Sequence, residues 1–243
     1  FNAWMGWGLT SLGDFNGDGI DDFAASTPFI QNDNGSGSVH VFYGSDSPSF
    51  DQPDLTIEPE IQEQRFGDVI TGGGDFNGDG FGDLMVKTGG ASPDGFQQVY
   101  LYAGGTDADN LHDGTFVADP NDLGKNDGGE FSSGGFRNME MITDYNGDGY
   151  DELVISSIFR SFDNSTNAVV YEGTNTLTEK IQPQIVLQAP NQDVGFGGAE
   201  WADAIAVGDF DGNGTTDIVM SQTADNNDAY QSSRQYRYAL QSP

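Results

Sequence analysis

The chain has 243 residues and a formal net charge of −31, from 39 acidic and 8 basic residues. That surplus opposes binding to nucleic acid and insertion into or onto anionic membranes, and the absence of cysteine excludes disulfides and thiol chemistry. No apolar run approaches the roughly eighteen residues of a membrane span, nothing resembles a long amphipathic helix, and 35 glycines with 12% aromatics suit many short strands joined by turns.

In chain order, the first distinctive stretch is loop 1, Asp14-Phe15-Asn16-Gly17-Asp18-Gly19-Ile20-Asp21-Asp22. Oxygen-bearing side chains stand at its positions 1, 3, 5 and 9: Asp14, Asn16, Asp18 and Asp22. Position 7, Ile20, offers only a backbone carbonyl. The glycines at 17 and 19 permit a sharp turn. Hard oxygens converging from one short loop are what Ca²⁺ requires, since it takes about six to eight of them. An aliphatic run follows at once, Phe23-Ala24-Ala25, then Val39-His40-Val41-Phe42-Tyr43-Gly44, then Leu55-Thr56-Ile57-Glu58-Pro59. Such short apolar runs read as strands, the first buried on both faces, and the proline fits the end of an edge strand.

The same order repeats. Phe66-Gly67-Asp68-Val69-Ile70 precedes loop 2, whose candidate ligands are Asp75, Asn77, Asp79, Phe81 (carbonyl) and Asp83. Leu84-Met85-Val86, Val99 to Gly104 and Phe116 to Pro120 follow as strand segments. Phe131 precedes loop 3, with Asp144, Asn146, Asp148, Tyr150 (carbonyl) and Glu152; Leu153-Val154-Ile155, Val169 to Gly173 and Ile185 to Pro190 follow. Phe196 precedes loop 4, with Asp209, Asp211, Asn213, Thr215 (carbonyl) and Asp217; Ile218-Val219-Met220 and Tyr236 to Leu240 follow. In repeat 1, Trp7-Gly8 stands nearest to the Phe-Gly position. The loops recur at intervals of roughly 60–70 residues, the signature of a repeat architecture.

These loops are not EF-hands, which close with a bidentate Glu at position 12. Position 12 here is Ala25, Val86, Ile155 or Met220. Asn-Gly and Asp-Gly alone would suit tight turns, but a turn does not need three clustered carboxylates, which repel one another without a cation. Loop 3 departs by its longer Glu152, and loop 4 by exchanging Asp and Asn at positions 3 and 5; each keeps three carboxylates, so about four Ca²⁺ sites are expected.

Four strands per repeat is the sequence form of β-propeller blades. With Phe-Gly at 66–67 and 196–197 and the four Asp-x-Asn-x-Asp-Gly-type loops, the chain resembles the FG-GAP repeats of integrin α-subunit propellers and their bacterial relatives. The resemblance implies an all-β fold of four-stranded antiparallel blades, with calcium held in a hairpin between the first two strands of each blade. Blades are expected at 1–62, 63–126, 127–192 and 193–243, within a single propeller domain. The last strand of the fourth is missing from the sequence pattern. The family usually closes seven blades, so a piece of a larger propeller, a four-bladed ring, and an assembly completed by strand donation from a neighbour all stand open. Phe1 rather than Met stands first, as in a processed or partial chain.

Catalytic signals are poor. His40 lies in a strand segment and His112 in a polar stretch, and there is no nucleophile elbow, phosphate loop or zinc-spaced His pair. Two acids of a glycosidase could hide among the carboxylates. The favoured reading is a non-catalytic, extracellular, calcium-binding module for adhesion or recognition of a protein or glycan. A subunit of an extracellular fibre or surface layer comes second and a polysaccharide-active enzyme last. Trp4, Trp7 and Trp201 are expected between blades, with sugar stacking as the alternative. Asn34 and Asn164 head N-glycosylation patterns that a Gly/Asn/Ser-rich chain generates by chance.

Overall fold

The structure, a computed structural model, describes residues 5–28, 36–59, 65–88, 98–117, 136–157, 167–177, 181, 184–188, 199–224 and 234–240. Its described residues form fifteen strands: β1 (Leu9–Gly13), β2 (Asp22–Thr27), β3 (Ser38–Phe42), β4 (Leu55–Ile57), β5 (Ile70–Gly72), β6 (Leu84–Lys87), β7 (Gln98–Tyr102), β8 (Gly114–Val117), β9 (Phe136–Ile142), β10 (Glu152–Ser157), β11 (Asn167–Tyr171), β12 (Ile185–Gln188), β13 (Ala199–Gly208), β14 (Asp217–Ala224) and β15 (Arg234–Ala239). They make four antiparallel meanders, in the orders β1-β2-β3-β4, β5-β6-β7-β8, β9-β10-β11-β12 and β13-β14-β15. The fold is all-β, and each sheet is a propeller blade. Two of the second strands are buried on both faces, as their unbroken apolar runs predict: Leu84, Met85 and Val86 of β6 and Leu153, Val154 and Ile155 of β10 are fully buried, while Phe23 of β2 and Val219 of β14 are half-buried.

The chain forms two compact units, 1–117 with 173–181, and 118–172 with 182–243. In the first unit, Leu12, Ala24, Val39 and Val41 of the first sheet share a core with Leu84, Val86, Tyr100 and Tyr102 of the second. In the second unit, Ile142, Val154, Ala168 and Val170 of the third sheet share a core with Ile218, Met220 and Leu240 of the fourth. Both pairings use the same faces. The face carrying loop position 11 (Ala24, Val154) packs on the face carrying positions 10 and 12 of the following repeat (Leu84 and Val86, Ile218 and Met220).

The Phe-Gly motif lies outside the strand it was expected to open. Phe66 is fully buried in the core, but residues 65–69 form a turn and β5 begins only at Ile70. Gly67 sits at φ 82°, a left-handed conformation that breaks the extended run. Trp7 does not take the matching buried place, being 50% exposed. Trp4, Phe131, Phe196, Asn34 and Asn164 lie outside the described residues, as does the side chain of Trp201.

Candidate metal centre

Each loop spans a hairpin between the first and second strands of its sheet: β1 to β2, β5 to β6, β9 to β10 and β13 to β14. Peptide geometry rather than packing shapes the loop. In loop 1, Asp14 Oδ1 accepts from the N–H of Gly17 at 2.8 Å and of Asp18 at 2.9 Å, and its Oδ2 accepts from Gly19 at 2.9 Å. The Asn16 carbonyl oxygen accepts from the Asp18 N–H, and Asp18 Oδ1 from the Ile20 N–H. Side-chain oxygens thereby replace the backbone acceptors that a regular turn would use. Gly17 and Gly19, at φ 80° and 86°, turn the intervening amides inward.

The pattern recurs with small changes. Asp75 accepts from Gly78, Asp79 and Gly80; Asp144 from Gly147 and Gly149; Asp209 from Gly212, Asn213 and Gly214. The position-7 residues Ile20, Phe81, Tyr150 and Thr215 each donate their N–H to the position-5 side chain, Asp18, Asp79, Asp148 or Asn213. In loops 1 to 3 the position-3 Asn (16, 77, 146) also donates its side-chain N–H to the position-5 Asp. Backbone amides hold the Asp209 carboxyl below its usual range, the Gly214 N–H foremost, then those of Gly212, Asn213 and Asp211.

Position 9 behaves differently from the other three. Asp22, Asp83, Glu152 and Asp217 are all buried, while positions 1, 3 and 5 lie nearer the surface. In loops 1 and 2 both carboxylate oxygens at position 9 are taken by backbone amides. Asp22 Oδ2 accepts from Phe15 and Asn16, and its Oδ1 from Gly44 at 2.8 Å. Asp83 Oδ2 accepts from Phe76 and Asn77, and its Oδ1 from Gly104 at 3.0 Å. This assigns a role to the glycine that ends the third segment of the repeat. A Cβ on Gly44 would lie 2.3 Å from the Asp21 carbonyl oxygen, and one on Gly104 2.3 Å from that of Gly82, so only glycine brings its N–H this close.

Loops 3 and 4 lack that third donor. Glu152 Oε2 accepts from Tyr145 at 3.3 Å and Asp217 Oδ2 from Phe210 at 3.1 Å, while Glu152 Oε1 and Asp217 Oδ1 are buried without a hydrogen bond. In these loops three carboxylates bring ligand atoms within 4.8 Å of one another: Asp144, Asp148 and Glu152, and Asp209, Asp211 and Asp217. A buried carboxylate oxygen that accepts no hydrogen bond, facing two more carboxylates, fits a hard cation. With Asn146 or Asn213 and a backbone carbonyl such a loop supplies most of the six to eight oxygens that Ca²⁺ takes, water or bidentate binding adding the rest.

The electrostatics point the same way. Burial pushes the Glu152 carboxyl up to about 8, helped by Asp148, Asp144 and Asp151 and opposed by the Tyr145 N–H. Burial likewise pushes Asp83 up to about 7 against the pull of the Gly104 and Phe76 amides, and raises Asp22. Without a metal ion the folded chain therefore holds protons that the unfolded chain sheds near pH 4–5. The resulting stability is full below the unfolded values and is lost as pH rises through about 7 and then about 8. In chelator the protein is expected to melt at a higher temperature at pH 6 than at pH 9, and Glu152→Gln should flatten the upper part of that decline. A melting temperature that rises with pH in chelator would refute this.

Other sequence candidates lie apart from the loops. His40 is half-buried on β3 between hydroxyls, its Nε2 3.1 Å from Ser38 Oγ and its Nδ1 3.3 Å from Thr56 Oγ1. Ser38 is buried, which keeps this trio from a substrate. The His112 ring packs at 4.7 Å from that of Tyr100. The sequence pattern gave no sign of Asp151, whose Oδ1 accepts from the Asp144 N–H, or of Arg237, which pairs with Asp211 and Asp217 of loop 4.

Comparison with known proteins accounts for these loops. A family model described as FG-GAP repeat matches residues 5–42, which include loop 1, and one described as FG-GAP-like repeat matches 144–220, which include loops 3 and 4. The chain is 36% identical over 80 residues to Integrin alpha-PS2 of Drosophila melanogaster and 33% identical over 84 residues to Integrin alpha-PS3 of the same organism. Those alignments cover 30% and 32% of this chain but only 6% and 7% of the relatives. Repeat matches, integrin similarity and blade-forming sheets agree: the chain carries FG-GAP-type repeats similar to those of integrin α subunits.

Proposed function

We propose that the chain is an extracellular adhesion or recognition module, non-catalytic, whose blades are cross-linked by structural Ca²⁺ at loops 1 to 4. The observation that carries this reading is the buried position-9 carboxylate of loops 3 and 4, with an oxygen that accepts no hydrogen bond. The integrin relatives and the family matches support the adhesive role. A cytosol would leave weak calcium sites empty, whereas millimolar extracellular calcium fills them. Among the described residues no helix is long and apolar enough to cross a membrane.

Arrays of matrix proteins and of glycans, probed with the chain in millimolar calcium and again in chelator, test the role. Saturable binding that chelator abolishes is the expected result; no binding on either array by folded protein would count against recognition. Trp7 is half exposed and is the residue to change in the glycan form of the test. A second reading, assembly into a fibre or surface layer, is favoured by the fourth sheet, which has three strands among the described residues. Sedimentation velocity separates the two: a 26 kDa monomer in calcium fits the binding module, and large species that dissociate on chelation fit the building block.

A further inference from the structure

Repeat 4 solves the charge problem of its loop in its own way. On β15, Arg237 lies opposite Val219, at loop position 11, and diagonal to Asp217 on the same sheet face. The residues in the same register elsewhere are Val41 opposite Ala24, Leu101 opposite Met85 and Val170 opposite Val154, all buried and aliphatic. Arg237 instead reaches the loop. Its Nη2 donates to Asp211 Oδ2 at 2.5 Å, and its Nε lies 3.3 Å from Asp217 Oδ1 at an angle that makes an ion pair but no hydrogen bond.

A second change accompanies it in repeat 4. The residue two places beyond the partner of position 10 is Gly44 in repeat 1 and Gly104 in repeat 2, each donating to the position-9 Asp. In repeat 4 it is Leu240, whose N–H goes to the Thr216 carbonyl at 2.9 Å. Asp217 Oδ1 thus loses its amide donor in the repeat that carries a guanidinium beside it. Among the described residues no Lys or Arg is paired with Asp14, Asp18 or Asp22 of loop 1, or with Asp144, Asp148 or Glu152 of loop 3.

We propose that Arg237 is the built-in counter-cation of loop 4, holding that loop folded without a divalent ion and making it weaker and later than loops 1 and 3 to take calcium. The first half stands on the ion pairs; the second rests on the calcium reading of the loops. A guanidinium is a fixed charge that does not titrate in the working range, so the device works at any pH. To ligate both Asp211 and Asp217 a calcium ion must displace it.

Backbone hydrogen exchange of the full chain, in chelator and in a calcium titration, tests both halves for wild type, Arg237→Gln and Arg237→Lys. In chelator, Arg237→Gln is expected to speed exchange across 209–217 by roughly threefold or more while loops 1 to 3 stay unchanged, and Arg237→Lys to restore much of the protection. In the titration, wild-type loop 4 should gain protection at higher calcium than loops 1 and 3, and Arg237→Gln should lower its midpoint. Exchange across 209–217 that Arg237→Gln leaves unchanged in chelator would overturn the counter-cation. A wild-type loop 4 that fills together with loops 1 and 3 would overturn the ranking. If calcium protects no loop of the wild type, the calcium reading and the ranking fall together, while the chelator comparison still decides the role of Arg237. The side chain is 42% exposed, so its replacement leaves the cores intact.

Discussion

Chelation is expected to lower the melting temperature by at least about 15 °C relative to millimolar calcium at the same pH. A site held at about 100 times its Kd adds roughly 2.7 kcal/mol. Three loops contribute about 8 kcal/mol on that basis, and four about 11, set against a net stability of roughly 5–15 kcal/mol for a typical domain. For a chain of this size each kcal/mol moves the midpoint by about 2–4 °C. The effect is large because the apo loops are electrostatically poor: each crowds three carboxylates into nine residues with the one at position 9 buried, and in loops 3 and 4 their oxygens converge within 4.8 Å. Circular dichroism melts in the two conditions measure it directly. Asp18→Ala should cost about one site's share in calcium and little in chelator, since Asp18 is exposed and accepts only local amides. A midpoint indifferent to chelator would show that the loops stand without an ion.

The parts of the fold written in contiguous residues were legible in advance. An apolar triplet directly after each acidic loop reads as a strand, and β2, β6, β10 and β14 are strands, with the triplets of β6 and β10 buried on both faces. The loops could be placed because their shape is local: a short side chain accepting amides two to five residues ahead needs no tertiary partner. What depends on register between strands was hidden. Phe66-Gly67 resembles the start of a strand, yet the positive φ of Gly67 delays the strand to Ile70. The glycine of segment three was visible as a pattern, but its task emerges only when Gly44 and Gly104 meet carboxylates 22 and 21 residues back in the chain. Arg237 is 26 residues from Asp211, in a segment whose alternation looks like any other strand, and only the pairing of β14 with β15 brings the two together.

Asp83→Ala should destabilise the chelated protein by roughly 3–5 kcal/mol, whereas Asp217→Ala, at the same loop position, should cost distinctly less there. Asp83 is fully buried and accepts from Phe76 at 2.8 Å, Asn77 at 3.3 Å and Gly104 at 3.0 Å. Truncation strands these amides, those of Phe76 and Gly104 out of reach of water, and each buried orphan costs about 1–3 kcal/mol. Asp217 accepts one amide, from Phe210, and its other oxygen meets only the half-exposed Arg237 guanidinium, which Asp211 still engages after truncation. Asp83→Asn should fall between, because its amide oxygen can still serve Phe76 while its NH₂ would face the Gly104 N–H, donor against donor. Urea unfolding at pH 8 in chelator, where the Asp83 carboxyl is largely ionised, gives the ranking. In calcium the two alanine variants should converge, since each then also loses an ion ligand. Equal losses in chelator would mean that position 9 serves every loop in the same way. Unequal losses in the expected order would separate loop 2, latched by its own backbone amides, from loop 4, whose position-9 carboxylate leans on Arg237 instead.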